Sequence, residues 1–329
     1  MEDKNSITAS VIIPVYNEEK YIRQCIKSVL NQDYPKENVE YIFVDGNSKD
    51  KTVEIIRQYA KEYPYIKVFN NPNRTAPYAM NIGIRNSSGK YIVRLDAHSE
   101  YDKNYISKCI LTLKKTNADN AGGIVITKGQ SFIGKVYALV LSCKFGVGNS
   151  GFRTDMSSGY VDTVPFGTFK RETFIKYGLY DERLTRNQDY ELNYRIRKNG
   201  GRIYLNTDIK LTYYCKNTIT DILKQSYQNG KWNIVTSKFC PGSMSVRHFI
   251  PLLFLSSLII IPVIILIIPA FAWLFIAEIG LYFLLDLIFS FKIYSKINYL
   301  PMLLIMFPMF HISYGTGSLM EFICEVIKR

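Results

Sequence analysis

At 329 residues the chain is long enough for one large domain plus an appendage. Its net charge of +13 raises the question of nucleic acid. The basic residues are interleaved with acids, however, and no helix carries a continuous basic stripe, so nucleic acid is not the expected partner. The cysteines Cys25, Cys109, Cys143, Cys215, Cys240 and Cys324 are scattered with no close pair of zinc-site spacing, which leaves reduced core or interface thiols instead of a disulfide framework.

The first strand is Val11-Ile12-Ile13-Pro14-Val15, which runs into Tyr16-Asn17-Glu18-Glu19. Tyr21, Ile22, Cys25, Ile26, Val29 and Leu30 then recur at helical spacing, and Pro35 follows the helix. A second strand, Tyr41-Ile42-Phe43-Val44, ends at Asp45-Gly46. Ser48 is the expected N-cap of the next helix, whose apolar face is Val53, Ile55, Ile56, Tyr59 and Ala60. Ile66-Lys67-Val68-Phe69 reads as a strand, Ala76 to Asn86 as a helix, and Ser87-Ser88-Gly89 as a turn into Tyr91-Ile92-Val93. That strand delivers Asp96 and His98 to one sheet edge.

Strands alternating with helices predict an α/β fold with a mostly parallel, doubly wound sheet. Three strands end in or beside carboxylates, at the sheet edge where such folds bind ligands. An aspartate with a neutral imidazole suits Mg²⁺ or Mn²⁺ carrying phosphates, so the expected ligand is a nucleotide diphosphate.

Beyond residue 127 the alternation loosens. Ile133, Val136, Tyr137, Val140 and Leu141 mark an amphipathic helix, and Gly146 to Arg153 is expected to be a mobile, substrate-covering loop. Gly146-Val147-Gly148-Asn149-Ser150-Gly151 matches the dinucleotide fingerprint in letters, but a helix precedes it where the fingerprint needs a strand. Residues 188–199 form a charged helix, Ile203 to Leu205 and Lys210 to Tyr214 two strands, and Ile219 to Val235 an amphipathic helix suited to a membrane surface.

Phe249 through Ala277 contains no charged residue, and as a helix of about 29 residues it would exceed the roughly 30 Å hydrocarbon core. Pro262 and Pro269 predict a kink or turn within it. A second segment, 272–291, ends at Lys292 and Lys296, and with Arg247 these cations favour a hairpin returning to the cytoplasm. A third, 297–320, is interrupted by Pro301, Pro308, Gly315 and Gly317, and the sequence leaves open whether it spans or re-enters. The polar start Met1-Glu2-Asp3-Lys4-Asn5 has no apolar signal stretch, so the large domain is expected in the cytoplasm, attached to the cell membrane.

The pieces Ile12 to Glu18, Phe43 to Thr52, Ala79-Met80-Asn81-Ile82-Gly83 and the Asp96 strand resemble the inverting, nucleotide-sugar-dependent glycosyltransferases of family two, with the GT-A fold. Arg94-Leu95-Asp96-Ala97-His98, Phe145-Gly146-Val147-Gly148, Val161-Asp162-Thr163 and Arg186 to Arg195 resemble its succinoglycan-biosynthesis type. The resemblance implies that Pro14, Tyr16, Glu18, Asp45, Asn81 and Asp96 serve the nucleotide sugar, with Glu18 on the ribose and Asp45 on the base. The alternative for Glu18 and Asp45 is that they cap the following helices. His98 stands where most of the family carry the second acid of Asp-x-Asp, and the resemblance implies a metal site, Mn or Mg, at Asp96 and His98; the alternative is a structural histidine.

Asp189 is the implied general base, since inverting transfer needs one carboxylate to take the acceptor proton; the alternative is a helix cap. Glu191, Lys231 and Trp232 are possible diphosphate or acceptor contacts, the last two as a loose echo of the Gln-x-x-Arg-Trp motif of processive synthases, and Lys231 is equally read as a plain surface lysine. The expected organisation is a GT-A domain over 1–215, an interfacial region over 216–247 and a membrane domain of two to three segments over 248–329. The expected partners are a nucleotide-diphospho-sugar, UDP-sugar favoured, and a lipid-linked saccharide acceptor at the membrane. A processive synthase and a membrane-anchored nucleotide-sugar-binding protein are the rival readings.

Overall fold

The computed structural model describes residues 7–154 and 157–328, so the polar start at Met1 to Asn5 lies outside the described residues. The chain divides into two compact units, Met1–Ile126 with Asp155–Tyr213, and Thr127–Thr154 with Tyr214–Arg329.

In the first unit, β1 (Ala9–Val15), α1 (Ile22–Leu30), β2 (Val39–Asp45), α2 (Thr52–Glu62), β3 (Ile66–Asn70), α3 (Ala76–Arg85) and β4 (Tyr91–Arg94) alternate. Their strands lie parallel in the order β3-β2-β1-β4. The continuous apolar runs have this cause: a sheet covered on both faces buries both sides of every strand, and all of β2 is buried. Register pairs Val15 with Asp45 and Ile12 with Arg94, so the carboxyl ends of β1, β2 and β4 open along one edge.

The second half of the sheet adds β5 (Ser99–Tyr101), α4 (Tyr105–Thr116) and β6 (Asn120–Lys128). After α5 (Phe132–Leu141) and α6 (Lys144–Val147), which belong to the other unit, come β7 (Gly159–Tyr160), β8 (Thr168–Lys170), α7 (Arg171–Tyr177), α8 (Gln188–Lys198) and β9 (Ile203–Tyr214). Antiparallel pairs join β8 to β4 and β6, and β5 and β7 to β9, so the sheet is mixed: parallel where the sequence alternates, antiparallel where it does not. The two expected strands at 203–214 are one continuous strand, because Asn206, Thr207 and Asp208 extend it at the sheet rim without breaking it. Ser48 is not a helix cap; α2 starts four residues later, and Asp50 Oδ1 accepts from the Thr52 N–H at 3.0 Å.

In the second unit, α9 (Ile219–Phe239), α10 (Ile250–Ile265), α11 (Phe271–Ile293) and α12 (Leu300–Ile327) join α5 and α6. The 16 residues of α10 reach only about 24 Å, so the run from Phe249 to Ala277 is one short helix, a turn at Pro269 and the start of another. Pro262 lies inside α10 without ending it. Pro308 and the glycines do not interrupt the third segment either: α12 is an unbroken helix of 28 residues. Phe271–Ile293 and Ile297–Ile327 are long and apolar enough to cross a membrane.

The buried stripe of α9 is Ile222, Ser226, Gly230, Asn233 and Thr236, a small and polar set that α12 covers. A Cβ on Gly230 would stand 1.9 Å from the Tyr314 carbonyl oxygen, and one on Gly317 2.0 Å from that of Tyr227. Only glycine admits such an approach, and it joins α9, expected as the interfacial region, to the apolar helices in one unit. The fingerprint-like segment is likewise helix and turn: Gly146 lies within α6, Ser150 and Thr154 are buried, and Arg247 donates to the Asn149 carbonyl. Those bonds tie it into the unit, in place of the expected covering loop.

The contact of α3 with β1 is equally close, since a Cβ on Gly83 would meet Ile12 Cγ2 at 2.4 Å. Ile12 is fully buried and β-branched, so it has nowhere to turn. We expect Gly83→Leu to destabilise the protein by at least about 1–3 kcal/mol through overpacking. A thermal-unfolding midpoint equal to wild type would refute this contact.

Candidate active site

Arg94 closes β4 with a side chain only 7% exposed, and a buried guanidinium needs acids. It pairs with Asp189 Oδ1, and its Nη2 lies 3.6 Å from Asp96 Oδ1. The Phe166 ring stands 5.9 Å from the guanidinium carbon. These contacts bring together the strand-end acid and an acid from the first turn of α8, 93 positions apart in sequence. Burial, with the Asp96 charge beside it, raises the Asp189 carboxyl above the ordinary carboxylate range, although Arg94 pulls the other way. A carboxylate with a raised pKa is a better proton acceptor. The cap of α8 is Asn187, in a left-handed conformation, so Asp189 does not cap it.

The next residues of the loop carry His98, whose Nδ1 lies 3.2 Å from Glu18 Oε1. With the Nδ1–H donated to Glu18, the imidazole lone pair sits on Nε2, the arrangement in which histidine binds metals. Glu18 thus meets His98 in this structure. Among the described residues no three His, Cys, Asp or Glu side chains form a metal cage. Asp96 and His98 fit instead an ion that takes its remaining ligands from phosphates and water, as Mg²⁺ commonly does.

Tyr16 is exposed at the end of β1, two residues past the half-buried Pro14. Asp45, buried at the end of β2, accepts from the N–H groups of Asn47 at 3.0 Å and Ser48 at 3.1 Å, and from Ser48 Oγ at 2.5 Å. It braces its own loop whatever else it binds. The buried Cys25 thiol has its pKa pushed up to about 12 by burial and by the Asp96 and Glu18 charges, which keeps it protonated and inert.

Residues 10–177 match the domain described as glycosyl transferase family 2. The chain belongs to that family. It is similar to dolichyl N-acetyl-alpha-D-glucosaminyl phosphate 3-beta-D-2,3-diacetamido-2,3-dideoxy-beta-D-glucuronosyltransferase of Methanococcus voltae, at 31% identity over 67% of this chain and 71% of that protein. Similarity to succinoglycan biosynthesis protein ExoA of Rhizobium meliloti (strain 1021) is 28% over 76% of each. A mannosyltransferase from Pyrobaculum calidifontis, solved with GDP-Man and Mn²⁺, shares the GT-A-like fold at a TM-score of 0.62 and 16% identity, over 94% of this chain and 86% of that one.

Within this glycosyltransferase several motif residues prove to hold the site rather than form it. Asn81 donates to the Tyr180 carbonyl at 2.9 Å and to Glu182 at 2.8 Å, and accepts from the Tyr180 N–H at 3.0 Å, so its buried amide fastens the loop before α8. Glu191 is gripped bidentately by Arg195 at 2.8 and 2.7 Å, which uses both its oxygens within α8. Lys231, in the second unit, lies 3.4 Å from Glu321 of α12, and the half-buried Trp232 follows it on α9. Both residues expected as phosphate or acceptor contacts, Glu191 and Lys231, are thus engaged in ion pairs within the fold.

Asn193 carries no motif signal of its own, yet it donates to Thr163 at 2.8 Å and accepts from Asn120 at 2.8 Å, fixing α8 from beneath. Sequence reasoning gave Arg94 no role, although an arginine inside a buried strand is itself a signal that acids lie nearby. We expect Arg94→Met and Asp189→Asn to be coupled: each destabilises alone, and the double variant loses less than the sum by at least about 0.5 kcal/mol. Additive losses in denaturant unfolding would show that the pair makes no energetic contribution.

Proposed function

We propose that the protein is an inverting, metal-dependent, membrane-associated glycosyltransferase. It moves one sugar from a nucleotide-diphospho-sugar, UDP-sugar favoured, to a hydroxyl of a lipid-linked saccharide, with the first unit on the cytoplasmic side. The observation that carries this reading is the pairing of Arg94 with Asp189 beside Asp96, which joins a proton acceptor to the acid at the donor end of the sheet.

In such a transfer the acceptor oxygen attacks the anomeric carbon in line with the departing diphosphate. Asp189 takes the hydroxyl proton as the new bond forms, and the nucleoside diphosphate leaves with the electrons of the bond that breaks. No covalent intermediate is required. Asp96 and His98 would hold Mn²⁺ or Mg²⁺, which when bound offsets the charge developing on the leaving group. Tyr16 offers a ring face for the base, and Asp45 and Glu18 carboxylate oxygens for base and ribose.

The Methanococcus relative is named for transfer to a dolichyl-linked sugar phosphate, the Rhizobium relative for succinoglycan, and the Pyrobaculum structure holds a nucleotide sugar with Mn²⁺; all three support the reading. Arg247, Lys292 and Lys296 beside the apolar helices support a cytoplasmic placement. The test is nucleotide release from a panel of UDP- and GDP-sugars with Mn²⁺ and a short lipid-diphosphate sugar. Products longer by many sugars would identify a processive synthase, and release that ignores the acceptor a hydrolase.

Asp189→Asn should lower the transfer rate at least about 100-fold while leaving nucleotide-sugar affinity near wild type. A variant retaining a tenth of the rate at saturating substrate removes Asp189 from the proton-accepting role. For His98→Ala we expect the Mn²⁺ concentration giving half-maximal activity to rise roughly 10-fold or more, with His98→Asp restoring much of the loss. Superimposable metal titrations of wild type and His98→Ala would return His98 to a structural role.

A further inference from the structure

The apolar helices of the second unit differ from a set of membrane-crossing helices in ways that concern the α10–α11 hairpin and α12 separately. The hairpin turn is Leu266-Ile267-Ile268-Pro269-Ala270, and no charged, amide or hydroxyl side chain occurs between Pro262 and Ala277. Leu266, Ile267 and Trp273 are 85%, 80% and 77% exposed. A turn that emerges on the far side of a bilayer meets headgroups and water; this one offers them almost nothing. Much of its backbone is bonded within the turn itself, as hydrocarbon favours. The Ile267 and Ile268 N–H groups donate to the Ile264 carbonyl, Phe271 donates to Ile268, Ala272 to Pro269 and Trp273 to Ala270.

The α10 arm, at about 24 Å, is shorter than the roughly 30 Å hydrocarbon core. On α11 the polar residues Glu278, Tyr282, Asp286 and Ser290 recur every four positions and turn toward protein. Glu278 accepts from Ser257, the Tyr282 hydroxyl donates to His311 Nδ1 at 2.9 Å, and Ser290 donates to Asp286 at 3.0 Å. The outward faces, including Ile259, Ile260, Val263, Phe283 and Leu287, are apolar.

The long helix α12 is of another kind. It lies parallel to α9, from the Ser226 hydroxyl on the Phe310 carbonyl to the Lys238 pair with Glu325. Because α9 carries Asp221, Lys224, Lys231 and Lys238, it is a poor candidate for hydrocarbon, and a helix packed along it in register stays outside too. The Lys231–Glu321 and Lys238–Glu325 pairs join the C-terminal parts of the two helices through charged groups that hydrocarbon disfavours.

We propose that only the α10–α11 hairpin enters the bilayer, that it turns back within the acyl chains, and that α12 remains on the side where α9 lies, so that the attachment is one-sided. This rests on the membrane-associated reading above and specifies its form.

The test is labelling with a membrane-impermeant maleimide in intact cells, inside-out vesicles and detergent, with the modified residue located by mass spectrometry. Cys324, an exposed thiol near the end of α12, reports in the wild-type chain, and Lys328→Cys provides a second reporter there. Leu266→Cys and Trp273→Cys, made separately, report on the turn. We expect the α12 thiols to react in inside-out vesicles but not in intact cells, and the turn thiols to react only in detergent. Labelling of either turn position in intact cells, or there of Cys324 or of the thiol supplied by Lys328→Cys, would overturn the proposal in favour of crossing helices. Release of the wild-type protein by alkaline carbonate would instead sink the membrane-associated reading itself.

Discussion

The site depends on one buried cation. Arg94 cannot stay under the sheet edge without anionic partners, and the two it has come from the β4 end and from α8. It therefore decides where a remote helix must dock before any substrate arrives. Together with Glu18, these acids set three carboxylates against one guanidinium, an excess of negative charge in a confined space. In the reaction proposed above a divalent ion would offset that excess, and the diphosphate would come with the ion. Desolvation and the Asp96 charge raise the Asp189 carboxyl against the pull of Arg94, which favours the proton-accepting role proposed for it.

What surrounds the cluster is chiefly scaffolding that fixes α8. Asn120, Asn193 and Thr163 form a buried relay, and Arg195 ties Glu191 to the carbonyl of Leu179 at 2.8 Å. Asn81 reaches over the loop between them. Asn81 and Asn193 are buried with amide oxygen and nitrogen both bonded, the condition under which such networks specify one geometry. In the second unit the same end is reached by other means, with glycines that let α9 and α12 touch through their backbones.

Much of the fold was legible because parallel strands write themselves as unbroken apolar runs: Val11 to Val15, Tyr41 to Val44 and Tyr91 to Val93 all became strands, and the acids after them share one edge. In the antiparallel half only β9 was legible, as two strands instead of one, since β7 and β8 have two and three residues and leave no periodic trace. Asp96, His98 and Asp189 could be named from motif letters, but the link between them runs through Arg94, and pairing between residues 95 positions apart has no local signature. Asn81 and Glu191 were also named from motif letters, and the structure shows each bonded within the fold. Motif letters mark residues a fold requires as readily as residues a substrate touches. In the membrane segments the turn at Pro269 was legible from the proline, whereas the cover α9 gives α12 was not, because hydropathy registers composition and not packing.

The loops after β1 and β2 are stitched to each other. The Asn17 N–H donates to Ser48 Oγ at 2.9 Å, the Lys49 N–H to Asn17 Oδ1 at 2.8 Å, and the Glu18 N–H to Thr52 Oγ1 at 2.8 Å. Asn17 and Asn47 both take the left-handed backbone conformation that asparagine tolerates best. Two loops held in this way have surrendered their conformational freedom on folding, so a nucleotide bound between them, as proposed above, would have little left to organise. A change in what this end of the protein accepts would then require altering the stitched loops themselves instead of a single side chain at their rim.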